Sequence, residues 1–221
     1  MVISSGRADR QRQQRRDARQ RILGAASRLL EERRWTDLRL EDVMAGAGLS
    51  RTAFYRHFDD RHTLLLAMLE EVQDNIGAAG LAWKAGTGDP VGALCTGLGE
   101  LTSAMQEHGR LMQAIADAAA YDPGIRAARQ QMVGLFVGVT AERIRADVDA
   151  GRSRVRDPDR VAYALVRMNE SLLLDAFGWP PYGEPREVLA TMCEVWATTI
   201  YGREALDAHA APEAERTQRS T

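Results

Sequence analysis

The chain has 221 residues, of which 45% are hydrophobic, 27% charged and 6% aromatic. This is enough for one large domain, or for a small domain joined to a larger one. Plentiful Ala, Leu and Arg with few prolines favour an all-helical protein over a β-rich one. Because no signal-like segment and no run of roughly 18 apolar residues is found, we expect a cytoplasmic protein without membrane association. The cysteines, Cys95 and Cys193, are expected to be ordinary reduced thiols.

The formal net charge of −2 conceals an uneven distribution along the chain. Residues 1–62 contain 14 arginines against 9 acidic side chains, a net charge of +5. The remainder has 15 basic and 22 acidic side chains, a net charge of −7. A basic first part followed by an acidic body is typical of a DNA-binding domain joined to a separate ligand-binding or dimerisation domain.

Residues 1–20 show no hydrophobic period and carry six arginines. The sequence therefore predicts a disordered basic arm. Such an arm either remains solvated, or it neutralises phosphates or enters the minor groove beside a DNA-binding domain. From Ile22 onward the apolar residues fall at helical spacing, which predicts a first helix that ends near Arg33 and Arg34.

Residues 40–58 are the most informative segment of the chain. Two short helical patterns, Leu40–Ala47 and Arg51–His57, are separated by a turn in which Gly48 is free to adopt a left-handed conformation. Ser50 is a good N-cap for the second of these helices. This layout predicts a helix-turn-helix, in which the second helix enters the major groove of DNA.

The second helix of this motif and its flanks carry side chains that can donate hydrogen bonds to nucleic acid. Arg51 and Thr52 occupy the first turn, from which side chains reach base edges. Tyr55, His57 and Arg61 lie further along and are better placed for phosphate oxygens. The predicted DNA-binding residues are Arg39, Ser50, Arg51, Thr52, Tyr55, Arg56, His57 and Arg61.

The rest of the chain is predicted to be helical nearly to its end. Prolines at positions 90, 123 and 158 mark helix starts, because proline fits the first turn, and Gly151 marks a helix end. The predicted fold is all-α with about nine helices, a three-helix helix-turn-helix domain preceding a larger helical ligand-binding and dimerisation domain. The predicted divisions are a basic arm at 1–20, the DNA-binding domain at 21–66, the ligand-binding and dimerisation domain at 67–206 and a flexible tail at 207–221.

The last two long predicted helices, Pro158–Phe177 and Arg186–Leu206, have more apolar surface than one core face requires. A helix that is apolar around most of its circumference buries two sides. Homodimerisation through these helices is the preferred interpretation, because two-fold dimers are the commonest oligomers. Burial within a single chain is the alternative.

The N-terminal motifs resemble those of the TetR family of transcriptional repressors. The resemblance runs from Ile22 to Leu66 and includes Ala45-x-Ala47-Gly48-Leu49-Ser50, Phe54-Tyr55-x-His57-Phe58 and Leu64-Leu65. It implies a homodimer that binds a palindromic double-stranded DNA operator. It also implies release of the operator when a small, largely apolar or amphipathic effector binds in a C-terminal pocket.

The same resemblance assigns family DNA contacts to four positions of this chain. Thr52, Tyr55, His57 and Arg61 stand where the family contacts DNA, with Arg61 in place of the usual lysine. Arg39 is a departure, because the family has a capping Ser or Thr there. A long arginine side chain could itself reach the phosphate that the cap would contact.

The C-terminal half resembles the branch of this family typified by the mycobacterial ethionamide-resistance repressors, which bind long, mostly apolar ligands in a tunnel. Met168-Asn169-Glu170, Phe177 and the segment from Val195 to Gly202 carry this resemblance. It implies a hydrogen bond from Asn169 to the ligand. It further implies a tunnel lined by Phe136, Thr140, Leu173 and Trp196, with Cys95 and Thr102 in place of bulky rings.

Physical reasoning also singles out Asn169, because an amide in an apolar stripe is costly to bury without a partner. A hydrogen bond to a neighbouring helix would satisfy it equally well. Met132 is included because a flexible thioether suits an adaptable pocket, although plain core packing is its alternative. The predicted ligand-binding residues are Met132, Phe136, Thr140, Asn169, Leu173 and Trp196.

Catalysis is the least favoured interpretation. The four histidines are scattered, no Gly-rich phosphate loop follows a strand, and the Asp and His spacing fits no metal site. We therefore expect no enzymatic activity, cofactor or metal. The remaining alternative is a helical ligand-binding or partner-binding module without sequence-specific DNA binding.

Overall fold

A computed structural model describes residues 3–78, 83–84 and 88–210 of the chain. Its elements confirm the predicted all-helical fold, with nine α-helices, one 3₁₀ turn at Trp35–Asp37 and no strand within these ranges. The α-helices are α1 (Ile3–Glu32), α2 (Leu40–Ala47), α3 (Arg51–Phe54), α4 (Arg61–Ala78), α5 (Pro90–Ala118), α6 (Pro123–Asp149), α7 (Pro158–Phe177), α8 (Pro185–Ile200) and α9 (Arg203–Ala210).

The helices form two compact units. The first comprises Met1–Val72 with Arg110–Ala128, and the second comprises Gln73–Gly109 with Arg129–Thr221. The last turns of α5 and the first turn of α6 therefore belong to the same unit as α1–α3, whereas the sequence places a single boundary at residue 66. None of the described helices combines the length and the apolar content that a bilayer crossing requires.

The first helix is much longer than the sequence predicts. It begins at Ile3, so residues 3–20, predicted to be a disordered arm, are helical. The segment is rich in Arg and Gln, which are good helix formers. It lacks a hydrophobic period because its side chains from Asp9 to Asp17 are all exposed. Residues 1–2 lie outside the described part of the chain.

The turn between α2 and α3 has the predicted geometry. Gly48 adopts φ 63° and ψ 38°, and its N–H donates to the carbonyls of the last turn of α2. Ser50 then caps α3, its Oγ accepting from the N–H of Ala53 at 3.3 Å. The helix ends at Phe54 instead of His57, although the His57 N–H still donates to the Phe54 carbonyl at 2.8 Å. The helix-turn-helix is thus formed with a shorter second helix.

Replacing Gly48 with alanine is expected to lower the free energy of unfolding by about 1–2 kcal/mol, because an L side chain is strained at positive φ. A Cβ there would lie 2.8 Å from Nη2 of Arg21, which is a flexible tip that can move aside. Gly46→Ala is the matched control, since its Cβ would lie 3.4 Å from the Ala25 Cβ in an ordinary helical turn. Denaturant titration of both variants checks this, and equal stability would contradict it.

The helices from α5 onward begin and end largely as predicted. α5, α6 and α7 begin at prolines, and Gly151 follows α6 with φ 72°. The prediction of one continuous last helix, Arg186–Leu206, is wrong. Gly202 adopts φ 90° and separates two helices, α8 and α9. Residues 207–210 of the predicted flexible tail belong to α9, and residues 211–221 lie outside the described part.

Candidate functional site

The outer face of α3 presents hydrogen-bond donors to solvent. Arg51 and Thr52 in its first turn are exposed, and Tyr55 directly after the helix is half-exposed with its ring packed edge-on against Phe54. The Arg51 guanidinium lies 2.8 Å from a Glu41 carboxylate oxygen and 3.5 Å from the Tyr55 hydroxyl. These contacts hold the Arg51 guanidinium at the start of the helix. A base edge in a DNA major groove could take the place of Glu41 and Tyr55 as its partner.

Three further predicted residues flank this face. Ser50 uses its hydroxyl to cap α3. Arg39 is the N-cap residue of α2 but makes no side-chain capping bond, so its exposed guanidinium is left to solvent. Arg56 is likewise exposed, and no ion pair is seen for its side chain among the described residues. Exposed cationic groups therefore come before α3 in the chain, at Arg39, and after it, at Arg56.

His57 lies half-buried beside arginines from α1. Burial lowers its pKa, and the nearby charges of Arg15, Arg19 and Arg56 lower it further. The imidazole is therefore neutral at neutral pH. Nη2 of Arg15 donates to the Arg56 carbonyl at 3.0 Å, which joins α1 to the exit of α3. Arg15 of the basic arm therefore contacts the helix-turn-helix motif as part of a helix. The sequence does not reveal this helix, because the arm has no hydrophobic period.

Arg61 occupies a different environment from the one that the sequence predicts. Its guanidinium donates to the carbonyl of Trp35 and lies over the Trp35 ring, 4.5 Å from the ring centroid. Burial lowers the pKa of Arg61. The side chain thus fixes the start of α4 against the 3₁₀ turn instead of pointing outward.

The six predicted ligand-binding residues lie on α6, α7 and α8, all within the second unit. Phe136 is half-buried and the other five are buried. Trp196 donates from its indole nitrogen to Oδ1 of Asn169 at 2.9 Å. The helix–helix hydrogen bond that is the alternative to a ligand contact is therefore present. It uses one of several bonding positions of the amide and leaves capacity for a second partner.

Trp83 is a residue of this region that the sequence does not single out. Its buried ring packs edge-to-face on Trp196 with the ring centroids 5.9 Å apart. The Trp83 indole nitrogen donates to the Tyr201 hydroxyl at 2.8 Å. Asn169 is therefore linked to Tyr201 by a hydrogen bond to Trp196, a ring contact between Trp196 and Trp83, and a hydrogen bond from Trp83.

Beyond Tyr201 these contacts end on a fully buried carboxylate, Asp147. Asp147 accepts hydrogen bonds from the Tyr201 hydroxyl at 2.7 Å, from Arg143 at 2.8 and 2.9 Å and from Arg152 at 2.7 Å. Four donor groups from three residues meet on this carboxylate: Arg143 on α6, Arg152 in the following turn and Tyr201 at the end of α8. Asp147 therefore connects these segments. Burial and the bond to Asp147 raise the pKa of Tyr201 to about 12.

This raised pKa predicts a loss of stability in alkali. The folded protein binds the phenolic proton more tightly than the unfolded chain, so the stabilisation is complete below pH 10 and is lost between pH 10 and about 12. We expect the free energy of unfolding to fall by about 1 kcal/mol over this range, a value reduced for solvent screening because Tyr201 is only part-buried. Tyr201→Phe should lack this component while Tyr121→Phe, at an exposed tyrosine, retains it. Unfolding titrations at several alkaline pH values check this, and identical slopes for both variants would contradict it.

Two family descriptions match separate parts of the chain. Residues 22–68 match "Bacterial regulatory proteins, tetR family", and residues 94–202 match "Transcriptional regulator EthR, C-terminal domain". The HTH-type transcriptional regulator EthR of Mycobacterium tuberculosis is 30% identical over 185 residues, covering 82% of this chain and 86% of EthR.

Solved structures share the fold at lower identity. SmeT, the repressor of the Stenotrophomonas maltophilia multidrug efflux pump SmeDEF, superposes with a TM-score of 0.67 at 21% identity, covering 86% of this chain and 94% of SmeT. A transcriptional regulator from Saccharomonospora viridis in complex with choline gives 0.69 at 19% identity, covering 84% and 98%. The chain therefore belongs to the TetR family of transcriptional regulators, with an EthR-type C-terminal domain, and is a regulator and not an enzyme.

Proposed function

We propose that the protein is a ligand-responsive repressor that binds a palindromic DNA operator as a homodimer. A small, largely apolar or amphipathic effector in the second unit releases it. The observation that carries the DNA-binding part is the exposed face of α3, a capped helix whose first turn presents Arg51 and Thr52. Regulators of this family bind DNA and small molecules, often as dimers. The place of action would be the cytoplasm, where operator DNA lies.

The exposure of each side chain supports a division of roles on this surface. Arg51 and Thr52 would contact base edges, while Arg39, Tyr55 and Arg56 would contact phosphates. Ser50 and Arg61 would act indirectly, because both use their polar atoms within the first unit. Neutral His57 would donate a single hydrogen bond to a phosphate and add no charge.

Exposure along α7 supports the homodimer. Its buried stripe includes Leu165, Asn169 and Leu173. Beside it runs a second apolar stripe that is exposed or only half-buried, formed by Val161, Ala164, Met168 and Leu172. A second copy of the chain would bury this stripe, since a two-fold interface uses the same surface twice.

The ligand part of the proposal rests on Asn169 and Trp196. They provide a buried polar pair among apolar side chains, which is the composition of a site for a molecule with one polar group. An effector shifts the protein away from DNA only if it binds the released conformation better than the bound one. A molecule that binds this unit and leaves operator affinity unchanged would contradict this part of the proposal.

The test of DNA binding is a salt titration with intergenic fragments that flank the protein's own gene. We expect a palindromic fragment to bind two chains with half-sites roughly 34 Å apart, and its affinity to fall steeply with salt, about 0.9 log units per phosphate contacted for each tenfold rise in salt. Binding that is absent, or independent of salt, on all neighbouring fragments would favour a helical ligand-binding or partner-binding module.

A further inference from the structure

The two cysteines of the chain lie against each other in the second unit. Cys95 is on α5 and Cys193 is on α8, 98 positions later, and their thiols are close enough to influence each other's pKa. Both are free and both are half-buried, so they are accessible to small solutes. Sequence separation conceals this pair, because nothing in the spacing indicates that α5 and α8 are neighbours.

Contacts on either side of the pair show the same packing of the C-terminal helices on α5. One turn after Cys95, a Cβ on Gly99 would lie 3.6 Å from Leu189, which is one turn before Cys193. The two helices are therefore antiparallel at this point. Near the start of α5, Nδ1 of His209 lies 2.5 Å from Asp89. This register places positions 95 and 193 on facing turns of the two helices.

The pair lies apart from the proposed dimer surface. The proposed dimer surface also includes half-buried apolar residues of α8, of which Val195 is one. Cys193 precedes it by two residues, which is a rotation of about 200° around a helix. A partner that covers Val195 therefore leaves the Cys193 side of α8 uncovered.

The two sulfurs are not equivalent. The neighbouring Cys193 thiol lowers the pKa of Cys95, although burial and the charge of Asp89 act in the opposite direction. The interaction with Cys95, together with burial, raises the pKa of Cys193. Cys95 is therefore the sulfur that more readily forms the thiolate, which is the nucleophilic species.

We propose that Cys95 and Cys193 form a dithiol site that hydrogen peroxide oxidises to a disulfide between α5 and α8. The Cys95 thiolate attacks one peroxide oxygen, an S–O bond forms, the O–O bond breaks, and the departing hydroxide takes up a proton to become water. The Cys193 sulfur then attacks the sulfenic sulfur; an S–S bond forms, the S–O bond breaks, and the oxygen leaves with the thiol proton as a second water. Two thiols thus supply two electrons to one molecule of hydrogen peroxide.

The test treats the full-length protein with hydrogen peroxide and analyses it without reducing agent. We expect the intact mass to fall by two hydrogen atoms, both cysteines to resist alkylation, and a peptide map to show Cys95 joined to Cys193 within one chain. Dithiothreitol should restore both thiols. Because the chain contains only two cysteines, no other intrachain disulfide can produce this result.

Single variants separate the two roles. Cys193→Ser should stop at the sulfenic acid of Cys95, which a dimedone-type reagent captures, whereas Cys95→Ser should react with peroxide far more slowly. Circular dichroism of both variants before treatment confirms that they are folded. Thiols that remain alkylatable after treatment, oxidation to sulfinic acid without a disulfide, or a disulfide only between chains would each overturn the proposal.

Discussion

Replacing Arg51 with alanine is expected to weaken operator binding about 10- to 100-fold, because a forked arginine contact to a base contributes about 1–3 kcal/mol of discrimination. Arg51 stands in the first turn of a capped helix with its side chain 63% exposed. Its present partner is Glu41, and an exposed pair of this kind contributes little, so exchanging it for a guanine edge costs little. Affinity for unrelated DNA should change much less than affinity for the operator.

Two other arginine variants make this result specific. Arg39→Ala should weaken binding to operator and unrelated DNA alike and reduce the salt slope by about one, which is the behaviour of a phosphate contact. Arg160→Ala removes an arginine on α7 whose side chain is 90% exposed, and should leave binding unchanged. Competition assays at matched ionic strength measure all three. If Arg51→Ala lowered affinity for every DNA equally, the base contact would be contradicted.

Local signals were enough to predict the helix-turn-helix from the sequence. A left-handed glycine and a serine N-cap are determined by their immediate neighbours, and the structure confirms both Gly48 and Ser50 in these roles. The length of α1 was not predictable in the same way, because hydrophobic periodicity reports burial and the residues from Asp9 to Asp17 are exposed. A solvated helix and a disordered arm have the same composition.

Residues that depend on contacts between distant segments could not be predicted. The sequence predicts a DNA contact for Arg61. In the structure its guanidinium donates to the carbonyl of Trp35, 26 positions earlier, and lies over the Trp35 ring. The sequence left Asn169 between a ligand and a neighbouring helix, and the bond from Trp196 shows that the second partner is present. Trp83 and Asp147 carry no motif at all, because their importance arises from hydrogen bonds that span 118 and 54 positions.

Replacing Asp147 with alanine is expected to lower the free energy of unfolding by about 3–5 kcal/mol, since breaking a buried ion pair leaves an uncompensated charge. Arg143 is the charge concerned, because it is buried and both of its bonds to Asp147 would be lost. Arg152 is partly exposed and would find water, so it adds less. The Tyr201 hydroxyl would lose its acceptor at the same time.

Asp149→Ala is the matched control, because Asp149 lies two residues further along α6 and is exposed. Its change in stability should stay within about 0.5 kcal/mol. Denaturant unfolding followed by both tryptophan fluorescence and circular dichroism measures the difference, at one protein concentration because dimerisation would shift apparent stability. Asp147→Asn keeps an acceptor without the charge and should fall between the two. A loss below about 1 kcal/mol for Asp147→Ala would mean that Arg143 reaches solvent without its partner. The hydrogen bonds of Asp147 would then connect α6 and α8 without stabilising the fold.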